Sequence, residues 1–188
     1  MQVNNRFKQI GISQRIRLEW LEKTANLVLA GNDRNMIINE LQLLLKNSLS
    51  VGGSAVRGNR EKAITILTKI WVNPAKEVDE LREASLDLLR ELSPSMHMAL
   101  HWGMTMAAYP FWAAVAAQVG RLLKLQGTVA PLHVQRRIRE QYGERETVSR
   151  ATRRILRTFV DWKVLLESPR KGIYDQGKRL SIAEPKVM

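Results

Sequence analysis

The residues TVSRATRRILRTFVDW, from Thr147 to Trp162, decide the fold of the C-terminal part of this chain. On a helical wheel they separate into an apolar face and a basic face. The apolar face carries Val148, Ala151, Thr152, Ile155, Phe159 and Trp162. The basic face carries Arg150, Arg153, Arg154 and Arg157. With no acidic residue between Glu146 and Asp161 to offset it, such a helix packs one side on a core and presents the other to a polyanion.

The segment before this helix completes a helix-turn-helix pattern. Pro131 opens a helix predicted to reach Tyr142, and residues 143–146 form a tight turn, with Thr147 as the cap of the arginine helix. A short helix, a turn containing Gly and a longer second helix are typical of that motif. The N-terminal end of its second helix enters the groove, which places Thr147 and Ser149 for phosphate or base contact.

After Trp162 the residue preferences change from helix to strand. We expect strands at 163–167 and 173–175 around a hairpin turn at 168–172, followed by another turn at 176–179. A β-hairpin directly after a recognition helix is the wing of a winged helix-turn-helix. Wing cations contact phosphate or the minor groove. The predicted nucleic-acid-binding residues outside the arginine helix are therefore Arg170, Lys171, Lys178 and Arg179, together with Arg136 and Arg137 of the preceding helix.

The net charge of +12 is concentrated in the same part of the chain. Residues 121–188 hold 16 basic and 7 acidic residues, whereas residues 1–120 hold 14 and 11. Solvated helix faces usually mix charges of both signs. The unbalanced C-terminal part is instead the electrostatic footprint of a nucleic-acid-binding module.

The first 126 residues predict an all-helical bundle, because apolar residues recur at helical spacing in about six segments. The expected helices cover residues 14–30, 33–47, 59–72, 75–92, 95–109 and 110–125, with a loop at 50–58. We therefore expect a mainly α protein with two domains. A helical bundle covers 1–126, a winged helix-turn-helix with a short β-hairpin covers 127–188, and the sixth helix is placed to contribute to both.

Several chemistries find no support in the composition. The absence of Cys excludes disulfides, zinc fingers and thiol catalysis. His97 and His101 have a metal-like spacing, but no acid or Cys lies near them in sequence, so we expect interior histidines and no metal. No Ser/His/Asp set and no carboxylate pair in an apolar pocket is evident. We expect neither an enzyme nor a cofactor.

One long uncharged stretch, Leu92 to Gly120, raises the question of a membrane span. Its apolar residues are mostly Ala and Met, and it contains His, Thr, Tyr, Pro and Gln, which favours a buried helical pair broken near Pro110. The N-terminal sequence has no apolar segment typical of a signal peptide. We expect a cytoplasmic protein.

A helical first part followed by RRIRE (136–140) and RATRRILRTFVDWKVLL (150–166) resembles the BrxA family of bacterial BREX phage-defence operons. The resemblance covers the organisation of most of the chain. It implies an N-terminal part similar to the NusB-type antitermination fold, double-stranded DNA as ligand, and a defence role beside other proteins of such a system.

The function we expect is non-enzymatic DNA binding through the winged helix. The N-terminal bundle would dimerise the protein, position the module or recruit a partner protein. Two alternatives stay open from the sequence. One is an RNA-binding protein of NusB-like type that uses the same basic face, and the other is an adaptor whose basic face binds an acidic protein.

Overall fold

The computed structural model describes residues 9–50 and 58–179, which are mainly helical and include one small antiparallel sheet. These residues form two compact units. Residues 16–108 are called the bundle unit, and residues 9–15 with 109–179 are called the basic unit. No helix within the described ranges has both the length and the apolarity that a membrane crossing needs. Most of the loop expected at 50–58 lies outside the described residues.

The bundle unit is built from five of the described helices, which follow the predicted segments closely. They are α1 (Leu18–Leu29), α2 (Arg34–Leu45), α3 (Asn59–Trp71), α4 (Asp79–Glu91) and α5 (Pro94–Ala108), with a short 3-10 turn at Lys76–Val78 before α4. Its interior is apolar and includes the fully buried side chains of Leu21, Leu41, Leu67 and Trp71.

Local sequence signals set several helix ends in the bundle unit. Gly31 takes a left-handed conformation just after α1, where a β-carbon would be strained. The Asp33 carboxylate then accepts hydrogen bonds from the backbone N–H groups of Asn35 and Met36 at 2.8 and 2.9 Å, as a helix cap does. The start of α1 was predicted wrongly, since it lies at Leu18 and not near residue 14.

The basic unit contains the remaining described elements in a fixed order. They are α6 (Pro110–Gln126), β1 (Thr128–Val129), α7 (Pro131–Tyr142), α8 (Glu146–Asp161), β2 (Leu165–Glu167) and β3 (Tyr174–Gln176). The three strands form an antiparallel sheet in the order β1-β3-β2. Aromatic packing joins α6 to α8, because the Trp112 ring lies 5.0 Å from Phe159 and 5.3 Å from Trp162 between centroids.

The N-terminal residues 9–15 pack within the basic unit, which explains why α1 starts late. Ile12 is buried, and Gly11 adopts a left-handed conformation against the ring of Tyr109. A β-carbon at Gly11 would lie 2.7 Å from that ring. The Arg15 guanidinium forks onto the Asp161 carboxylate at the end of α8, donating hydrogen bonds of 2.6 to 3.1 Å.

The boundary between the units falls between Ala108 and Tyr109, whereas the sequence suggested a boundary after residue 126. The difference is the whole of α6. This helix buries Phe111, Trp112 and Val115 in the basic unit, where it packs against α7, α8 and β1. Helix α6 is therefore the first helix of the C-terminal unit.

Candidate nucleic-acid interface

The two units differ in net charge. Residues 16–108 hold 11 basic and 11 acidic residues, so their net charge is zero. Residues 9–15 and 109–179 hold 16 basic and 6 acidic residues, which gives +10. A polyanion is therefore attracted to the basic unit.

Helix α8 has the two faces that its sequence predicts. All six residues of the predicted apolar face are buried, which confirms that face. The hydroxyls of Thr152 and Thr158 donate to the carbonyls of Val148 and Arg154 at 2.9 Å, so these buried polar groups are satisfied within the helix. Thr147 is not the cap, because α8 begins at Glu146 and Thr147 lies exposed inside the first turn.

Carboxylates hold three of the four arginines of α8 in place. One oxygen of Glu146 accepts hydrogen bonds from Arg150 at 3.0 Å and from Arg153 at 2.9 Å. The expectation that no acid offsets the arginine face was therefore wrong. Glu four residues before Arg is a common helical pair, and that spacing was visible in the sequence.

The ion pairs that Glu146 forms with Arg150 and Arg153 are weak. The hydrogen bond from Arg150, with the charge of Arg153, lowers the pKa of the Glu146 carboxyl below its ordinary value. All three side chains are more than half exposed, and exposed pairs of this kind contribute little to stability. A phosphate can replace the carboxylate at small cost.

Arg157 is held by a residue from a different element. Its guanidinium donates to the Glu167 carboxylate of β2 at 3.3 Å. This contact ties the hairpin to the exposed face of α8. Nothing in the sequence pairs positions ten apart across a turn, so this partner could not be read from the helical pattern.

Arg154 differs from its three neighbours. It is half-buried, and its guanidinium makes no hydrogen bond or ion pair with another described residue. Burial, and then repulsion from Arg150 and Arg153, lowers its pKa below the ordinary value. The basic face therefore holds a cation that lacks an anionic partner within the described part of the chain.

The predicted hairpin is present directly after α8. Strands β2 and β3 pair in antiparallel register, with Glu167 opposite Tyr174. The connecting turn closes through the N–H of Ser168, which donates to the Ile173 carbonyl at 3.1 Å. Arg170 and Lys171 are exposed in this turn. The other two predicted cations, Lys178 and Arg179, are exposed just after β3.

A close backbone approach anchors the hairpin to the end of α8. The Gly177 N–H donates to the Val164 carbonyl at 2.9 Å, and a β-carbon on Gly177 would overlap the Lys163 carbonyl. Only glycine fits at this position without moving backbone.

Arg136 and Arg137 lie at a cleft between α6 and α7. The cleft has a volume of about 380 Å³, and none of its lining residues comes from α8. Arg136 pairs with Glu140 at 3.1 Å, one turn later on α7. The structure thus groups these two arginines with α6, apart from the arginine face of α8.

The histidines of the bundle unit are interior residues, as expected, and they share a carboxylate that was missed. Glu22 of α1 accepts from His101 Nε2 at 2.8 Å and lies 3.0 Å from His97 Nδ1. His97 Nε2 lies 3.1 Å from the Leu92 carbonyl. Each ring nitrogen of His97 therefore lies within hydrogen-bond distance of an oxygen atom.

Hydrogen bonding lowers the pKa of Glu22 in this network, and burial lowers that of His101. The hydrogen bond from His101 is the main cause that lowers the pKa of Glu22 to about 2. Burial lowers the pKa of His101, whose Nδ1 has no hydrogen-bond partner in the described part of the chain. Among the described residues no group of His, Asp and Glu side chains is arranged to hold a metal ion. Glu22 lies 75 positions before His97, so no sequence signal could have found it.

No known protein family, curated protein or solved structure matches this chain. Its own residues and their geometry therefore carry the functional conclusion.

Proposed function

We propose that this protein binds double-stranded DNA, without catalysing a reaction, through α8 and the β2–β3 hairpin. The observation that carries the proposal is the arginine face of α8, on a unit with a net charge of +10 in a chain whose bundle unit is neutral. Lys and Arg on one face supply the sequence-independent part of DNA affinity by displacing counterions.

The order of elements supports a winged helix-turn-helix. Three helices and three strands follow each other as α6, β1, α7, α8, β2 and β3, and the sheet order is β1-β3-β2. Helices α7 and α8 are joined by a short turn in which Gly143 has a φ of 91°, a value that favours glycine. In such a module the second helix of the pair lies in the major groove and the hairpin lies on flanking backbone.

Ten of the twelve predicted residues have a place in the proposal, and Arg136 and Arg137, which line the α6–α7 cleft, do not. Thr147 and Ser149 lie in the first turn of α8, which enters the groove. Arg154, half-buried and without a carboxylate partner, holds a fixed phosphate or forks onto a guanine. The exposed arginines that exchange a carboxylate for phosphate or base are Arg150, Arg153 and Arg157. The hairpin side contacts flanking phosphates through Arg170, Lys171, Lys178 and Arg179.

The shape of α8 favours DNA over RNA. It is a 16-residue amphipathic helix with its cations on the exposed side. The major groove of B-form DNA admits a helix, whereas that of A-form RNA is too deep and narrow. RNA binding remains the second candidate on charge alone, and an acidic protein on the same face is the third. The resemblance to BrxA extends the proposal to an accessory role in bacterial phage defence.

Binding of labelled duplex DNA of about 20 bp, single strands and a folded RNA tests the proposal, with fluorescence anisotropy as the readout. The duplex is expected to bind most tightly. Replacing Arg153 and Arg154 by Ala is expected to weaken duplex binding at least tenfold, because each lost contact costs about 1–3 kcal/mol. Replacing Arg34 of α2 and Lys46, the residue that follows α2, by Ala removes the same charge from the bundle unit and is the matched control. Unchanged affinity in the Arg153/Arg154 variant, or tighter binding of the RNA, contradicts the proposal.

A further inference from the structure

The cleft between α6 and α7 combines cations with exposed leucine. Its volume is about 380 Å³, and both helices contribute to its lining. The lining side chains from α6 are Leu122, Leu125 and Gln126, and those from α7 are His133, Arg136, Arg137 and Glu140. Apolar and basic groups therefore face the same space.

Leu125, which lines this cleft, and Leu132, which lies beside its lining on α7, are unusually exposed. Leu132 is 76% exposed and Leu125 is 72% exposed, the highest values for large apolar side chains among the described residues. Leu132 directly precedes the lining residue His133 and lies one turn before Arg136 on α7. A partner that covers both side chains gains affinity, because their apolar surface is removed from water.

The cations around these leucines are only partly neutralised. Arg136 has Glu140, but Arg137 makes no ion pair with a described residue. Arg121 lies one turn before Leu125 on α6, and Lys124 directly precedes Leu125. The surroundings of the two leucines therefore attract carboxylates.

These features select the chemistry of the occupant. A nucleic-acid backbone offers negative charge but no apolar side chain to cover Leu125 and Leu132. A second copy of this chain that used the same surface would bring the arginines of both copies together, which is unfavourable. An acidic segment with leucine-sized side chains meets both requirements.

We propose that the α6–α7 cleft docks an acidic helical segment of a partner protein, whose apolar side chains cover Leu125 and Leu132 while its carboxylates pair with Arg137 and Arg121. Helices bind grooves in this way through apolar anchors spaced by three, four and seven residues. The docking surface uses no residue of α8. A DNA complex formed by α8 and a peptide complex formed at the cleft are therefore separable by substitution.

The test uses the full chain and a labelled peptide of about 15 residues, with Leu at i, i+3, i+4 and i+7 spacing and Glu elsewhere. Anisotropy is expected to show saturable binding. A control peptide with Ser in place of each Leu has the same charge and is expected to bind at least tenfold more weakly, about 1.4 kcal/mol.

Substitutions in the protein locate the peptide. Replacing Leu125 and Leu132 by Ser, or Arg137 by Glu, is expected to weaken peptide binding at least tenfold. The matched control replaces Leu43 and Leu81, which are also exposed, by Ser and keeps full affinity. All of these side chains are exposed, so the melting temperature serves as a check that each variant is folded.

Four results would overturn the proposal. In the first, the Leu peptide does not bind. In the second, the Ser peptide binds as tightly as the Leu peptide, which means that only attraction between opposite charges drives binding. In the third, duplex DNA competes with the peptide for the cleft, which makes the occupant a nucleic acid. In the fourth, the mass of the protein in solution rises with concentration and this rise is absent in the Leu125/Leu132 variant, which means that the occupant is a second copy of the chain. The variant with Arg153 and Arg154 replaced by Ala is expected to bind the peptide as tightly as the wild type. A failure of the docking proposal can therefore be distinguished from a failure of the DNA-binding proposal.

Discussion

The two units of this chain use charge in opposite ways. In the bundle unit, basic and acidic residues are equal in number, and the half-buried carboxylate of Glu22 contacts two buried histidines. In the basic unit, cations exceed acids by ten, and the carboxylates of Glu146 and Glu167 hold arginines on the surface. The first arrangement stabilises a fold, and the second keeps guanidiniums extended and exchangeable. The same residue types therefore stabilise the interior of one unit and, in the proposed function, bind a ligand on the surface of the other.

The largest expected effect comes from removing charge in the two units separately. Replacing Arg150, Arg153, Arg154 and Arg157 by Gln is expected to weaken duplex binding about 1000-fold at about 0.1 M salt. The slope of log K against log[salt] is expected to fall by about 3–4, because each phosphate contact contributes about 0.9. A salt titration by anisotropy measures both quantities.

The control for this experiment replaces four exposed cations of the bundle unit, Lys23, Arg34, Lys46 and Lys76, by Gln. It removes the same formal charge and is expected to change the affinity less than threefold, which is about 0.6 kcal/mol. Equal losses in the two variants would mean that net charge, and not the face of α8, drives binding.

The next effect concerns the backbone that positions the hairpin. Gly177→Ala is expected to destabilise the basic unit by about 2–3 kcal/mol, since its β-carbon overlaps the Lys163 carbonyl and backbone must move. Urea unfolding measures the loss. Gly120→Ala is the control, because a β-carbon there meets nothing within 4 Å inside α6, and this change is expected to stabilise by about 0.5–1 kcal/mol. A Gly177→Ala protein as stable as the wild type would show that the approach is not as close as described.

A smaller loss is expected in the bundle unit from Glu22→Gln. It removes the charge that His97 and His101 share, and hydrogen bonds to a charged group contribute about 1.5–3 kcal/mol. We expect a loss of about 2 kcal/mol in urea unfolding at neutral pH, with duplex affinity unchanged. Glu19→Gln, one turn earlier and exposed, is expected to change stability by less than about 0.5 kcal/mol. Equal losses from the two substitutions would remove the distinction between half-buried and exposed carboxylates.

The smallest effect is a pH dependence of stability that arises in the bundle unit. Burial lowers the pKa of His101 below 6.5, so the unfolded chain takes up this proton first and stability falls as the pH drops below that value. The pKa of Glu22 is lowered from 4.5 to about 2, so its contribution is complete above pH 4.5 and is lost as the pH falls toward 2.

Melting temperatures at pH 7 and 5 measure the effect of His101. The wild-type value is expected to fall, and the fall is expected to be smaller in His101→Gln. An identical fall in the two proteins would exclude His101 as the titrating group.

The elements that depend on residues close together in sequence could be predicted. The two faces of α8, the span of α7 and the hairpin follow from helical spacing, proline and glycine, and each is present. The pair of Glu146 with Arg150 is equally local, because the two residues lie four positions apart on one helix, and the sequence pattern was sufficient to predict it.

Contacts between distant positions could not be predicted. Glu22 reaches histidines 75 and 79 positions away, and Arg15 reaches Asp161 across 146 positions. A single sequence carries no signal for such pairs. For the same reason the boundary was placed after α6, whose aromatic residues fit a bundle core as well as they fit the core around Phe159.

The fork between Arg15 and Asp161 has a consequence for biosynthesis. The bundle unit is continuous in sequence and is inserted between two pieces of the basic unit. At about 5–20 residues per second, a ribosome adds Asp161 roughly 7–30 s after Arg15. Residues 9–15 wait for that time while the bundle unit, already complete, can fold. The basic unit therefore closes last, once its final segment is synthesised.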